Sequence, residues 1–425
     1  MKQKNQWVLF AVLLLALISL SPGEDAAIPQ PDRQTGISIT PQPKQKTEKE
    51  VGNIKVAVSM TPEEFEWLNH INQSFMEEHH VQVELANIAE KDAYHTFKNS
   101  LDMGEAPDVL LMDNAWIREF ASSGFLLPVE AYYSGQAGAD SLSNSVSQNT
   151  WNGYVWGVPK DYDPYVVVYN RARLQDLGYT QLPQTSGEWS GLLASYNKNN
   201  RIPYLAALDP SDAYAVISLL WRMGGTPGDG KGNGFTLTAD MKAAFQQIQE
   251  MKSKFYLVNG DSTEEQLTRK RLERGEILFY VTKASSFNGE LSPSIEMEKP
   301  SSQYDAHVLW LKGRSFCLTA QSRNAKTANA WISEITSSKQ QASAYREEGK
   351  LPTMKTLYNQ PDLKELLPWI SAIQSKGRIG SAPVDVKLPD YINRLSSNAV
   401  AYLTGTGSLK SFMVSFEHLG QLARP

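Results

Sequence analysis

Cysteine and histidine are scarce in this 425-residue chain, which holds a single Cys, Cys317, and six His. One thiol excludes an intramolecular disulfide, so an exported form of this chain must rely on a large buried core. Cys317, within the run RSFCLTA, is expected to be buried and inert. His70, His79, His80, His95, His307 and His418 are scattered, and the adjacent His79 and His80 lack the i,i+4 spacing that sets two imidazoles on one helix face. No metal and no cofactor is expected. Neither a P-loop nor a G-x-S-x-G nucleophile elbow is present. The glycine-rich MGGTPGDGKGNG follows a helical pattern instead of a strand and reads as a surface turn, not a phosphate cradle. A basic surplus is missing too: 46 acidic against 41 basic residues leave a formal charge of −5. Without a polyanion footprint, nucleic acid is not expected as a partner.

Long apolar runs are absent except at the extreme N-terminus. There Lys2 and Lys4 precede WVLFAVLLLALISL, Trp7 to Leu20, which Pro22 and Gly23 break. A basic start, a short apolar stretch and small residues after it form a secretory signal, and the run is shorter than the roughly 20 residues that span a bilayer. Residues 1–23 are therefore expected to be a signal peptide or, uncleaved, an N-terminal anchor. Residues 24–52, rich in Pro, Gln, Lys and Thr, read as a flexible tether that spaces the folded part from a membrane or wall. No cysteine follows the apolar run, so no lipid can be attached there. An exported, membrane- or wall-associated protein is the expectation.

The whole chain is 41% apolar and 20% charged, as in folded proteins, and is long enough for two cores. NIKVAVSM and VQVELANI alternate as strands, and APDVLLMD is a short apolar strand. Between them, TPEEFEWLNHINQSFMEEHH carries a Thr cap, Pro62 at the first helical position and Phe65, Leu68, Ile71 and Phe75 on one face. A further helix is expected near Ala93 to Leu101, and AWIREFASSG is another, ending at Gly124. The same alternation returns later. YVVVYN, GEILFYV and YDAHVLWL read as strands. SGEWSGLLASYNK (behind a Ser cap), DAYAVISLLWRMGG, TADMKAAFQQIQEMKSKF (capped by Thr238), NAKTANAWISEITSS, QQASAYREEG, PDYINRLSSNAVAYLTGTG and LKSFMVSFEHLGQ read as helices. Strands alternating with helices predict an α/β fold.

The stretch WNGYVWGVPKDYDPYVVVYNRARL, Trp151 to Leu174, joins the two alternating regions. Its aromatics, acids and two prolines precede a buried strand beginning at Val166. It reads as a hinge crossing, stiffened by Pro159 and Pro164, and crossovers of this kind lie beside ligand clefts.

Several segments resemble a known family in order and spacing. GEAPDVLLMDNAWIREFASSGFLLPVE, GYVWGVPKDYDPYVVVYNRARLQDLG, GEILFYV, RNAKTANAWISEITSSKQQASAYREEGKLPT and LTGTGSLKSFM resemble the extracellular solute-binding proteins of ABC importers, in the class of the maltose and oligosaccharide binders. The resemblance runs from about residue 53 to the end. It implies a two-lobe, Venus-flytrap α/β fold with crossed hinge connections. By analogy, 53–161 plus 304–336 make the N-terminal lobe and 162–303 plus 337–425 the C-terminal lobe. The helix from Asn324 to Ile335 then returns to the first lobe. It further implies capture of a small solute, a mono- or oligosaccharide, by a monomer that docks on an ABC permease and catalyses nothing.

Candidate ligand contacts follow from matching positions. Asp163 and Asp161 match hinge acids that take sugar hydroxyls, since a carboxylate accepts several hydrogen bonds; Lys160 and Asp161 can instead pair with each other and merely shape the loop. Asp212 and Tyr214 match an acid and a stacking ring, although Asp212 also serves as a helix cap. Asp113 ends the strand DVLLMD, and Asn114 and Trp116 follow it, at the cleft edge, where capping or packing on one lobe is the rival role. Tyr391 opens a late helix where the family presents an aromatic. The family's G-x-W platform is missing after GEILFYV, and Phe287 is the nearest substitute. Lys283 and Arg222 leave room for an acidic ligand. Asp163→Ala and Tyr214→Ala are expected to weaken binding without lowering the melting temperature. Two other functions fit the same residues: a flytrap sensor that presents ligand to a membrane receptor such as a histidine kinase, and a glycoside hydrolase that uses the acids as an acid–base pair.

Overall fold

The computed structural model describes residues 52–129, 136–199, 201–224, 235–260, 262–288, 291–298, 309–361, 363, 379–380 and 385–422. The expected signal, nearly all of the tether, the glycine-rich turn at 225–234 and Tyr304–Val308 of an expected strand lie outside the described residues.

Three parallel strands open the fold: β1 (Ile54–Val58), β2 (Val83–Asn87) and β3 (Val109–Asp113). Ile54 sits opposite Val83, and Val56 opposite Val109. Parallel neighbours need crossovers, supplied by α1 (Pro62–His79) and α2 (Glu90–Met103). Thr61 caps α1 by accepting a hydrogen bond from the Glu64 N–H. Short helices α3 (Ile117–Ser122), α4 (Gln136–Asp140) and α5 (Ser143–Gln148) lead to a hairpin of β4 (Thr150–Trp151) and β5 (Tyr154–Val155). Its turn, Asn152 and Gly153, has φ of 49° and 81°, the left-handed pair that a two-residue hairpin demands.

The expected hinge loop is instead the first part of a strand. β6 (Val158–Asn170) runs for 13 residues and every one is buried. Beyond it come α6 (Arg171–Asp176), α7 (Ser186–Lys198), β7 (Tyr204–Leu208), α8 (Ala213–Gly224), α9 (Ala239–Met251), β8 (Phe255–Leu257), α10 (Ser262–Glu273), β9 (Ile277–Lys283) and β10 (Ile295–Met297). The cap of α7 is Thr185, not Ser186: Thr185 and Glu188 form a capping box, which outcompetes a single Ser cap. β11 (Leu309–Leu318), α11 (Ala325–Ile335), α12 (Ser338–Glu348), β12 (Leu351–Pro352), β13 (Ile379–Gly380), α13 (Leu388–Thr404) and α14 (Leu409–Leu422) complete the chain.

The main sheet runs β2-β1-β3-β11-β6-β9-β7-β8. The β2-β1-β3 flank is parallel, as is the β9-β7-β8 flank. Between them β11 and β6 are antiparallel to each other and to their outer neighbours. β6 changes partner in mid-course. Residues Val158 to Pro164 pair with β11, and Tyr165 to Tyr169 pair with β9. Pro164, which has no N–H to give to a ladder, stands at the handover.

Each flank has its own cores. Ile54, Leu68, Phe316, Trp331 and Ile332 pack together on one face of the first flank, and Phe97, Leu110, Phe120 and Cys317 on the other. The Trp331 Nε1–H donates to Asn72 Oδ1 at 2.9 Å, so α11 closes over α1 and β1. On the second flank, Trp189, Leu220, Phe245, Phe279, Phe412 and Phe416 share a core, which ties α13 and α14 to α8 and α9. Full burial of one such side chain stabilises by about 1.5–3 kcal/mol. Burial pushes the Cys317 thiol well above its usual range, in keeping with an inert core residue.

Candidate functional site

The topology aims both flanks at one place. Parallel strands β3 and β9 end at Asp113 and Lys283. Register then sets Asp113 opposite Arg314 of β11, Lys312 opposite Asp163 of β6, and Tyr165 of β6 opposite Lys283. Directly opposite residues project from the same face of a sheet, as do residues two apart. A row of polar side chains therefore crosses the middle of the sheet, at the carboxyl ends of strands from both flanks.

At one end of the row, charges are buried and fully employed. Arg314 donates to Asp161 Oδ1 at 2.9 Å and Oδ2 at 2.6 Å, and to Glu64 Oε2 at 2.9 Å. Lys160 pairs with Asp161 at 2.6 Å. Lys350 joins Glu64 at 3.0 Å to Asp163 at 2.5 Å. Asp163 also accepts from the Ser285 N–H at 3.1 Å and its hydroxyl at 2.6 Å. Burial pushes the Glu64 carboxyl up, but Arg314, Lys350 and Lys160 outweigh it and hold it down at about 2. The same contest leaves Asp161 well below the carboxylate range. Arg314 is raised: burial works against its charge, and Asp161 and Glu64 prevail. A buried charge persists only when it is paired and hydrogen-bonded, and this set meets that condition.

The other end of the row is more open. Glu90, on the first turn of α2, leaves 60% of its side chain exposed and meets two lysines. Lys283 Nζ lies 3.0 Å and 2.8 Å from its two oxygens, and Lys312 Nζ also donates to Oε1. These lysines drop the Glu90 carboxyl well below its ordinary value. Beside them Asp212 accepts from the Tyr165 hydroxyl at 2.6 Å, while its other oxygen caps α8 by accepting from the Tyr214 and Ala215 N–H groups. Burial raises the Asp212 carboxyl, against the pull of Lys283 and Lys312. Tyr214 stacks on Trp310 with ring centres 4.7 Å apart. Burial, then the neighbouring Asp113 carboxylate, lift its phenol well above the usual range.

The remaining sequence candidates lie off this charged row, Trp116 nearest, packed against the cluster that holds Tyr214. Asn114 is buried, donating to Gln148 Oε1 at 2.8 Å and accepting from the Ser315 hydroxyl at 2.7 Å. A Cβ on the neighbouring Gly313 would stand 2.3 Å from the Asn114 amide, so glycine there is what lets this bond form. Trp116 is half-buried, with its ring edge-on to Tyr94 at 5.5 Å. Tyr391, half-buried, faces His418 and Arg394. Phe287 is 4% exposed and packs with Tyr280 and Val166, in a different cluster from Tyr214. Arg222 is not free for a ligand: it makes a bidentate pair with Glu298 at 2.8 Å and 2.6 Å and lies over Trp189. Nothing in the local sequence singles out Glu90, Lys312, Trp310 or Lys350. Each is an ordinary charged or aromatic residue locally, and only register brings them together. Among the described residues no cluster of His, Cys, Asp and Glu has the makings of a metal site, and no helix is long and apolar enough to cross a membrane.

Comparison with known proteins agrees with this architecture. A maltotriose-binding protein of Pyrococcus abyssi is 24% identical over 183 residues, which are 42% of this chain and 38% of that relative. The match thus spans well under half the relative's length. The GacH receptor of Streptomyces glaucescens, solved unliganded and with acarbose, superposes with a TM-score of 0.71 at 20% identity, over 87% of this chain and 98% of the receptor. An ABC transporter solute-binding protein of Thermotoga lettingae, solved with α-D-tagatose, gives 0.70 at 18% identity over 88% and 100%. Maltose-bound MalE3 of T. maritima gives 0.69 at 20% identity over 87% and 98%. The fold is therefore the two-lobe α/β fold of the periplasmic sugar-binding proteins. Residues 71–367 match one family throughout, and the chain belongs to the bacterial extracellular solute-binding proteins.

Proposed function

We propose that this protein is an exported, monomeric receptor. It traps a small carbohydrate between two lobes and delivers it to an ABC permease without chemical change. The lobes would comprise 53–161 plus 304–336 and 162–303 plus 337–425, with residues 24–52 as a tether to membrane or wall. Family membership and the sugar complexes of the structural relatives support this reading. The observation that carries it is the meeting of Asp113 and Glu90, from the β2-β1-β3 side, with Tyr214, Asp212 and Lys283, from the β9-β7-β8 side. Acids and phenols suit hydroxyl groups, and a stacked ring suits the apolar face of a sugar. Asp212, Tyr214 and Trp116 are the contacts favoured here. Asp161, Asp163, Asn114 and Phe287, which are buried, would shape the site from behind, whereas Asp212 and Trp116 keep part of their surface exposed. Closure of the lobes would exclude water and strengthen each polar contact.

Calorimetric titration of the purified chain against neutral and acidic mono- and oligosaccharides tests this. Saturable 1:1 binding of an unmodified sugar is expected. Binding of none, or release of a cleaved product, would overturn the proposal.

A further inference from the structure

Glu90 occupies a place built for an anion. Lys283 and Lys312 stand on β9 and β11, on either side of β6, and converge on a single carboxylate. Their side chains are only 21% and 13% exposed, whereas Glu90 is 60% exposed. The two cations are thus fixed to the central sheet and partly desolvated, while their shared counterion sits on the first turn of a helix at the rim. Among the described residues Glu90 is the carboxylate in hydrogen-bond contact with these two ammonium groups, whereas Asp113, Asp212 and Glu265 act on them through space alone. The next acid, Asp212, is already engaged with the Tyr165 hydroxyl and the start of α8. A carboxylate at the first turn of a helix is favoured by the helix dipole even alone, so Glu90 can rotate outward without being stranded. The lysines cannot lose an anion at equal ease, because a desolvated ammonium needs a partner.

We infer that the solute is an acidic sugar, a uronic acid or an oligosaccharide containing one, whose carboxylate replaces that of Glu90 between Lys283 and Lys312. This rests on the carbohydrate-receptor reading above and narrows it. Lys283 would bridge both oxygens, as it does for Glu90, and Lys312 would take one. The sugar ring then reaches toward Tyr214, whose ring lies beneath the Lys312 ammonium at 5.8 Å, and its hydroxyls toward Asp212.

The test is calorimetric titration of the full chain with D-glucuronate, D-galacturonate and their di- and trisaccharides, beside the neutral glucose and galactose counterparts and glucose 6-phosphate. A uronate is expected to bind at least tenfold more tightly than its neutral counterpart, and to weaken as salt rises. In Lys283→Gln and Lys312→Gln the uronate-to-neutral affinity ratio should fall about tenfold. In Glu90→Gln uronate affinity should rise severalfold, because the internal competitor is gone. That last substitution is at an exposed position, so it remains informative if a lysine variant fails to fold. Neutral sugars bound as well as uronates, a preference for the phosphate, or a Glu90→Gln protein with unchanged or weaker uronate binding would each overturn the inference and leave a sugar receptor standing. A folded protein that binds no sugar, acidic or neutral, would remove both readings together.

Discussion

Glu90 and Lys283 stand 193 positions apart in the chain and meet at 2.8 Å. One belongs to the parallel flank that opens the fold and the other to the end of a strand in the opposite flank. Their pairing links the two flanks across the partner change in β6, where Pro164 hands over from β11 to β9. Lys283 is raised: burial works against its charge, and Glu90 and Asp212 prevail. With the lobe boundaries proposed above, opening of the lobes would break this contact.

This link should hold the lobes together weakly. Glu90 is well exposed, Lys283 keeps the nearby Asp212 and Asp163 carboxylates when Glu90 is removed, and ion pairs with a solvated partner contribute about 0–1 kcal/mol. A double-mutant cycle on Glu90→Gln and Lys283→Gln, read by urea unfolding of the sugar-free chain, is expected to give a coupling energy below about 1 kcal/mol that shrinks as salt rises. A coupling of several kcal/mol would mean that the pair is a structural lock.

The buried network behaves in the opposite way. Asp161 is 3% exposed and holds both Arg314 and Lys160. Replacing it by Asn would leave two buried cations short of a counterion, which costs about 3–5 kcal/mol. Glu64→Gln should be comparable, because Arg314 and Lys350 both rest on it. Chemical unfolding should show the two losses to be non-additive, since they share Arg314. Additive effects would show that the ion pairs act independently.

How much of this was legible in the sequence depended on the range of the cause. Helices α1, α9 and α11 were visible because caps and apolar stripes are local. Helix α10 was not. In STEEQLTRKRLE only Leu267 and Leu272 are large and apolar, and Leu267 is exposed, so hydrophobic period had nothing to report. β11 was cut short because KGRSFCL carries Lys312 and Arg314 in what became a central strand. Their counterions lie far off: Glu64 is 250 residues from Arg314 and Asp161 is 153 away. For the same reason VPKDYDP reads as a wet hinge loop, although Asp161 and Asp163 are buried against Arg314 and Lys350, more than 150 residues on, and Lys160 against Asp161 and Glu348. The polar row was out of reach, because only strand register sets Lys312, Asp163, Tyr165 and Lys283 side by side.

Register also revises an expectation about Asp163 and Tyr214. Binding roles alone would leave the melting temperature of the empty protein unchanged when either becomes Ala. Asp163 instead anchors Lys350 and Ser285, and Tyr214 stacks on Trp310. Asp163→Ala should therefore lower the melting temperature, because buried Lys350 is left with Glu64 alone, which Arg314 shares. Tyr214→Ala should cost about 3–5 kcal/mol as a large-to-small core change. Tyr214→Phe keeps the stack and loses only the hydroxyl beside Asp113, so it should melt within a few degrees of the parent while sugar affinity falls roughly tenfold. A phenylalanine variant that binds sugar as the parent does would take the Tyr214 hydroxyl out of the site.

Glu348 should make stability fall as pH rises through neutrality. Glu64, Asp161 and Asp163 already balance Lys160, Arg314 and Lys350. Glu348 is a fourth acid, 3.9 Å from Lys160, with neither oxygen hydrogen-bonded among the described residues. Burial raises its carboxyl to about 7 from an ordinary 4.5, against the pull of Lys160. Between those values the folded protein holds a proton that the unfolded chain has released. Its favourable contribution is therefore whole below about pH 4.5 and is lost as pH climbs through about 7. Glu348→Gln keeps the shape without the ionisation. By linkage it should be more stable than the parent near pH 8, on the order of 1–3 kcal/mol, and nearly equal to it near pH 5. Urea unfolding at the two pH values measures this directly. A parent and variant that keep the same difference at both would show that Glu348 carries its charge in the fold throughout.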